Sequence, residues 1–340
     1  MTLADDLWYS RSQGARIARA VLSPLSALYS LGLAQHAQRF ARAGGVVTPV
    51  IPAMSIGNVS VGGTGKTTVA AWAAHRLVMR GAHPAIVMRG YGADEPLVHA
   101  RLNPDVPVCV NADRIAGIAE AARNGADCAI LDDAFQHRRA ARVADFVLVA
   151  AEQWREDARV LPAGPLREPL SALGRATVVV VTRKSASAEA ARDVAGHLAR
   201  IAPGVGRAQL HLRAGGLVDA QTGEQHDLAL LRGARVAAAA AIGVPEAFFA
   251  QLRAEGAIVD ARAFPDHHAY DDRDVARLAA LAAGSMAVVC TLKDAVKLAP
   301  RWPPAVVPLW YVSQTVVIES GEAVLDHAFE AVLAARRPGS

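Results

Sequence analysis

The sequence predicts an α/β protein: a mostly parallel sheet flanked by helices, a second smaller α/β lobe, and an N-terminal amphipathic helix. Three observations predict it. From Val46 onward, apolar runs alternate with helical patterns, as in a parallel sheet with crossover helices. A glycine-rich turn lies between the first such strand and the first such helix, within "SIGNVSVGGTGKTTVAAW", Ser55 to Trp72. Beyond about residue 206 the texture shifts to alternating apolar positions and turn residues before the strand-helix alternation resumes.

Taken in order, the N-terminal segment "RIARAVLSPLSALYSLGLAQHAQRFAR" places Ile17, Val21, Leu25 and Leu28 at helical spacing, with Leu22, Tyr29 and Leu33 widening the apolar face. Arg16 and Arg19 precede that face, and Arg39 and Arg42 follow it. Such a helix suits a membrane interface, apolar side down and arginines toward lipid phosphates. Equally, it suits a helix packed on the protein's own core. Spanning is disfavoured, because Arg19 and Pro24 interrupt a run barely about 20 residues long, the length a bilayer needs. "VTPVIPAMSIG" reads as the first strand and "KTTVAAWAAHRLVMRG" as the helix after it, closed by Gly81. "HPAIVMRGYG", "ADCAILDD", "ADFVLVA" and "ATVVVVTR" read as further strands, and "DRIAGIAEAARNG" as a helix. "GRAQLHLRAGGLVDAQTGEQHDLALLRG" has the look of a two-stranded connection. It leads into "RVAAAAAIG", "VPEAFFAQLRAEG", "AIVDARAFPDHH" and "MAVVCTLKDAVKL". The expected division is 1–42 for the helix, 43–206 for a nucleotide-binding domain and 207–340 for the smaller lobe.

Composition supports a well-packed globular protein: of 340 residues, 52% are hydrophobic and 20% charged, which argues against extensive disorder. A net charge of +4 suits a partner that carries phosphate or an anionic membrane surface. Cys109, Cys128 and Cys290 show no paired spacing, so neither a disulfide framework nor a cysteine zinc site is expected, and a reducing compartment fits. No secretory signal or internal repeat is evident.

The glycine turn matches G-x-x-x-x-G-K-[ST] as "SVGGTGKT", except that Ser60 holds the first glycine place. Gly57, Gly62, Gly63 and Gly65 still leave the turn free to aim backbone N–H groups inward. With the positive end of the following helix, Gly62, Gly63, Thr64, Gly65, Lys66, Thr67 and Thr68 form a candidate polyphosphate site, the P-loop NTPase-like arrangement. Lys66 is expected to bridge the β- and γ-phosphates, and the Thr67 hydroxyl to ligate Mg²⁺. Asp132 and Asp133 end an apolar strand, where paired carboxylates suit Mg²⁺ and its waters, although aspartates are also common in solvated turns. No N/T-K-x-D loop is present, since "VTRKSA" lacks the aspartate and "TLKDA" has its lysine one place late, so ATP is the expected nucleotide. Arg89 and Tyr91, at a strand end, are candidates for a phosphate clamp and a sugar contact, against ordinary loop packing. Asp113 stands where a helix N-cap is expected. His267 and His268 are adjacent after a turn signal, with no cysteine or further histidine cluster to suggest zinc.

Nine stretches taken together resemble the tetraacyldisaccharide 4'-kinases of lipid A biosynthesis: "GNVSVGGTGKT", "RGYG", "DEP", "DR", "LDDAFQH", "LPAGPLREP", "GVPEAFF", "FPDHHAY" and "KDAVK". The match runs from about Ser55 to Leu298. The resemblance implies ATP-dependent phosphorylation of the 4'-hydroxyl of an acylated glucosamine disaccharide 1-phosphate, at the cytoplasmic face of the bacterial inner membrane. The implied partners are that lipid and the membrane surface, with no nucleic acid and no obligate protein partner. It also implies a catalytic pair of Asp113 and His267, a metal or substrate role for Glu168, and phosphate contact by Arg167. Gln136 and His137 would support the metal's water network, or His137 would be structural. The family's loop similarly lacks the first glycine. Three departures stand out: Thr68 for proline, Ala134 for glycine, and Leu292 for glutamate. Ala134 requires a negative φ at its turn, or strain. A membrane-associated ATPase switch and a kinase of a soluble metabolite are the alternatives.

Overall fold

The computed structural model describes residues 3–10, 12–42, 45–90, 92 and 94–336. Tyr91 lies outside them, as do the side chains of Arg39 and Arg42. The chain divides into two compact units, residues 1–90, 102–212 and 316–340 in the first, and 91–101 and 213–315 in the second.

The first unit opens with α1 (Leu3–Tyr9) and α2 (Gln13–Arg42). One side of α2 is docked: Ser26 donates to the Val160 carbonyl at 2.9 Å and accepts from the Ala163 amide at 3.0 Å, and the Tyr29 hydroxyl donates to Arg167 O at 3.1 Å. Its other side leaves Ile17, Val21, Leu25, Leu28 and Leu31 exposed, Val21 by 70%. The reading of a helix packed on the protein's own core thus describes the docked face, while the other face is apolar and exposed. Among the described residues, Gln13–Gln35 is the one helical stretch long and apolar enough to cross a bilayer by length and composition.

Next come β1 (Ala53–Asn58), α3 (Lys66–Val78), β2 (Pro84–Met88), α4 (Asp94–Leu102), β3 (Val108–Val110), α5 (Arg114–Arg123) and β4 (Cys128–Asp132). β5 (Ala144–Ala150), β6 (Val178–Arg183), α6 (Ala188–Ile201) and β7 (Gly206–Asp219) follow. The strand order is β7-β6-β5-β1-β4-β2-β3, all parallel within this unit. Strands β1, β2 and β4 are buried along their whole length, which is why they read as continuous apolar runs rather than alternating ones. The chain reverses direction in the strand order at β1, so the carboxyl ends of β1 and β4 line the crevice where such sheets take ligands.

The second unit contains β8 (Gln225–His226), β9 (Arg235–Ala240), α7 (Pro245–Ala254), β10 (Ile258–Ala263), α8 (Asp272–Leu281), β11 (Val288–Cys290), α9 (Leu292–Leu298) and most of β12 (Leu309–Ser320). Its parallel order is β10-β9-β11-β12, and β8 returns antiparallel to the end of β7. The sequence boundary near residue 206 differs from this division in three ways. Strand β7 belongs to the first unit as far as Leu212, residues 91–101 join the second, and residues 316–340 return to the first. That return is driven by α10 (Glu322–Ala334), whose Phe329 meets Trp72 and Phe146 edge-on at 5.6 and 5.7 Å in the first unit's core.

Candidate functional site

The glycine turn leaves β1 and enters α3. Ser60 forms an antiparallel bridge with Leu166, flanked by hydrogen bonds from Val61 N to Pro165 O at 2.8 Å and from Arg167 N to Val59 O at 2.7 Å. Extended pairing, not a glycine-dependent bend, is therefore what position 60 supplies. The bend comes later, at Gly62 (φ 115°) and Gly65 (φ 88°). The left-handed φ favours glycine at Gly65, and a Cβ there would also displace Leu212 Cδ1, 2.2 Å away. Gly65 is the N-cap of α3, which has no side-chain cap and no acidic residue in its first turn. The first turn thus carries no side-chain cap and no carboxylate, and the helix dipole there favours an anion. Thr182 Oγ1 donates to Thr64 O at 2.9 Å, and Asn58 Nδ2 to Thr64 Oγ1 at 3.2 Å, holding the turn from behind.

Lys66 opens α3, and its Nζ lies 3.7 Å from Asp133 Oδ1. Arg167 donates to both Asp133 oxygens at 3.0 Å. Asp132 is buried at the end of β4, in register with Ile56 of β1, so the two strands carry the carboxylates to the edge from which the glycine turn departs. Gln136 Nε2 donates to Asn58 O at 2.8 Å, binding the β4 loop to the β1 loop. Thr67 and Thr68 lie half-buried on the first turn of α3. Burial and the neighbouring Arg114 and Arg142 charges push His137 below its usual range, keeping it neutral. Arg89 is exposed just past β2 on the same edge of the sheet.

Glu168 departs from expectation. Its buried carboxylate accepts from Arg138 at 2.8 Å and from Arg175 at 3.0 Å, while Arg175 lies over the Phe135 ring at 4.5 Å. Two guanidinium groups hold its two oxygens, so a divalent cation would meet positive charge there, an arrangement that suits a structural anchor.

Asp113 and His267, expected as a pair, belong to the first and second units respectively. Asp113 caps α5, accepting from Ile115 N at 2.9 Å and Ala116 N at 3.4 Å, and its other oxygen takes Arg139 at 2.9 Å. Partial burial raises its carboxyl, but those amides and the Arg139 charge outweigh it and hold it below the usual range. The carboxylate that faces His267 is that of Asp94, with Oδ2 3.5 Å from Nδ1. Asp94 is buried in the first turn of α4, and His267 adopts a left-handed φ of 57°. Gly92 fits beside them, since a Cβ there would meet Asp94 Oδ1 at 2.4 Å. Asp94 is the site residue that sequence reasoning left without a role, although "DEP" is among the stretches carrying the resemblance. His268 turns instead to Asp274 at 2.7 Å. Among the described residues, no cluster of three or more His, Cys, Asp or Glu groups forms a metal cage.

The family model for tetraacyldisaccharide-1-P 4'-kinase matches residues 18–94 and 93–334. The chain belongs to this kinase family. Among its relatives, the tetraacyldisaccharide 4'-kinase of Anaeromyxobacter sp. (strain Fw109-5) is 40% identical over 308 residues, covering 83% of this chain and 80% of that protein. The one from Halorhodospira halophila is 37% identical over 313 residues, covering 86% of each. A crystal structure of the "apo" form of LpxK from Aquifex aeolicus in complex with ATP superposes with a TM-score of 0.72 at 24% identity, over 92% of this chain and 99% of that one. That likeness shows the fold. Against the family pattern, Ala134 is fully buried beside Val87 and Leu131, and the positive φ at this turn belongs to Asp133 (51°). Leu292 starts α9 and packs against the second unit's core.

Proposed function

We propose that the chain transfers the terminal phosphoryl group of ATP to the 4'-hydroxyl of an acylated glucosamine disaccharide 1-phosphate, the substrate of the family to which it belongs. The observation that carries the nucleotide half is the N-terminus of α3 behind the left-handed Gly62 and Gly65, with no acidic residue in its first turn and headed by Lys66. Its amides and those of Gly62 to Thr68 bind the phosphates, Lys66 spans the β- and γ-groups, and Arg167 shifts from Asp133 to the transferring phosphate. The hydroxyl of Thr67 and the carboxylates of Asp132 and Asp133 make a hard oxygen set suited to Mg²⁺, which would neutralise charge on the phosphates. Arg89 is placed to clamp a further phosphate; Tyr91 keeps its expected sugar contact as part of this reading. His267 accepts the proton of the 4'-hydroxyl, and Asp94 orients its ring and stabilises the imidazolium; the 3.5 Å separation supports this pairing. The exposed stripe Ile17, Val21, Leu25, Leu28 and Leu31 rests in the cytoplasmic leaflet, where the substrate's acyl chains remain.

Incubating the protein with [γ-³²P]ATP, Mg²⁺ and the acylated disaccharide 1-phosphate tests this, with a reaction lacking lipid as the control. Label should enter the lipid and little should be released as phosphate. Phosphate release independent of lipid would favour an ATPase switch instead, and labelling of a deacylated acceptor at the same rate would favour a soluble-metabolite kinase.

A further inference from the structure

The "KDAVK" stretch has no role in the chemistry so far. In the structure it lies in α9, within the second unit, and brings the half-buried Lys297, seated beside the buried Asp294, close to Asp94. Lys297 Nζ lies 4.0 Å from Asp94 Oδ2 and 3.9 Å from Asp294 Oδ1, donates to the His268 carbonyl at 2.9 Å, and sits 5.3 Å from the centre of the Tyr270 ring. Asp294 is fully buried and accepts from Thr291 Oγ1 at 2.6 Å, Tyr270 OH at 3.0 Å and Ala241 N at 3.2 Å. Ala241 in turn accepts from His267 N at 3.3 Å. Two routes therefore run from α9 to the histidine: Lys297 through the carbonyl of His268, and Asp294 through the peptide of Ala241.

We infer that Lys297, seated by Asp294, is a positioning residue that holds Asp94 and His267 in working register and sets the charge around them. This rests on the pairing of Asp94 with His267 proposed above. His267 has a left-handed backbone, a conformation that costs a non-glycine residue of order 1 kcal/mol or more and persists only where its surroundings over-determine it. The bonds to Ala241 and His268 supply that restraint from both sides. Asp94 is buried beside two cationic or potentially cationic groups, Lys297 and His267. Lys297 Nζ, 4.0 Å from Asp94 Oδ2, sets a positive charge beside the carboxylate that faces the imidazole.

The groups facing this centre are Asp94 from α4, Asp266 at 4.0 Å from His267 Nε2, Lys297 and Asp294 from α9, and the His268–Asp274 pair from α8 and its approach. Removing the ammonium increases the negative surplus around His267, so the acid limb of the kcat profile should move to higher pH. The experiment compares wild type, Lys297→Met, Lys297→Arg and His267→Ala in kcat, KM for ATP and the pH dependence of kcat, with melting curves for each. Lys297→Met should lower kcat at least tenfold at pH 7, leave KM for ATP within about twofold, and shift the acid limb up by half a pH unit or more. Lys297→Arg keeps the charge and should keep the acid limb at the wild-type pH. Where Lys297→Met melts below the assay temperature, Lys297→Gln, which retains a donor for His268 O but no charge, should show the same acid-limb shift. If His267→Ala is inactive while both neutral variants keep the wild-type kcat and acid limb, Lys297 has no positioning role. Full turnover in His267→Ala would instead overturn the Asp94–His267 pairing itself.

Discussion

Replacing Glu168 with glutamine separates the two roles open to this residue. Its side chain is 6% exposed, and its partners Arg138 and Arg175 are 33% and 34% exposed. Glutamine keeps the shape and one acceptor oxygen but turns an NH₂ group toward the other guanidinium, so one charge-assisted bond becomes a donor facing a donor. Such a bond contributes about 1.5–3 kcal/mol, and removing one partner of a buried pair costs about 3–5 kcal/mol. The arginines are a third exposed and can turn part of their charge to water, which brings the expected loss to about 2 kcal/mol. For a unit of this size that is a fall in Tm of about 4–8 °C. Differential scanning calorimetry without nucleotide reads it directly, and 0.5 M salt should narrow the gap between variant and wild type. Mg²⁺ dependence, measured by titrating the metal at saturating ATP, should stay within about threefold of wild type. An unchanged Tm together with a large loss of Mg²⁺ affinity would refute the anchor reading and return Glu168 to the metal.

Other perturbations follow from the same geometry. Gly57→Ala would set a Cβ 2.6 Å from Phe135 Cβ and 2.8 Å from its amide nitrogen; the two loops must part, and urea unfolding should show a loss of about 1–3 kcal/mol with weakened nucleotide binding. Asp113→Ala removes the α5 cap and should cost about 1 kcal/mol while leaving kcat within a few-fold, whereas a loss of turnover beyond a hundredfold would restore Asp113 to the chemistry. Because the folded Asp113 carboxyl lies below its usual range, the stabilisation it gives is present above the unfolded value and disappears as pH falls through the folded one. The wild-type and alanine proteins should therefore converge in stability in acid, as melting curves between pH 3 and pH 7 would register. Val21→Asp with Leu28→Asp, on the exposed side of α2, should reduce co-sedimentation with phosphatidylglycerol vesicles and lower turnover of vesicle-borne lipid at least tenfold, with Tm and KM for ATP unchanged.

How much of this was legible in the sequence depends on how local each signal is. The glycine turn, Lys66, and the Asp132–Asp133 pair were readable because strand, turn and helix follow one another in the chain, and the carboxylates end an apolar run. The unit boundaries were not, because β7 passes from one unit to the other in mid-strand, with no break in composition between Leu212 and Arg213. Asp94 was hidden for a related reason. Its partner His267 lies far along the chain, and nothing in "DEP" distinguishes a first-turn aspartate that faces a histidine from one that merely favours a helix N-terminus. Asp113 shows the converse, since its visible signature is that of a cap, and capping is what its carboxylate does.

Ser60 and Ala134 carry the same lesson in backbone geometry. Both occupy places where a pattern expects glycine, and at neither does the chain bend left-handed: Ser60 is extended against Leu166, and the positive φ next to Ala134 falls on Asp133. Aspartate tolerates that conformation better than most residues, because its short polar side chain can bond locally. Asp133 does bond, to Lys66 and Arg167, and those ion pairs help hold the turn. Releasing those cations to an incoming triphosphate would weaken the restraint on Asp133 unless a divalent ion replaces them. On that argument a divalent ion bound here would have two functions, screening the phosphates and keeping a left-handed aspartate in place, and Asp133→Gly should keep the turn while weakening the Mg²⁺ dependence of turnover.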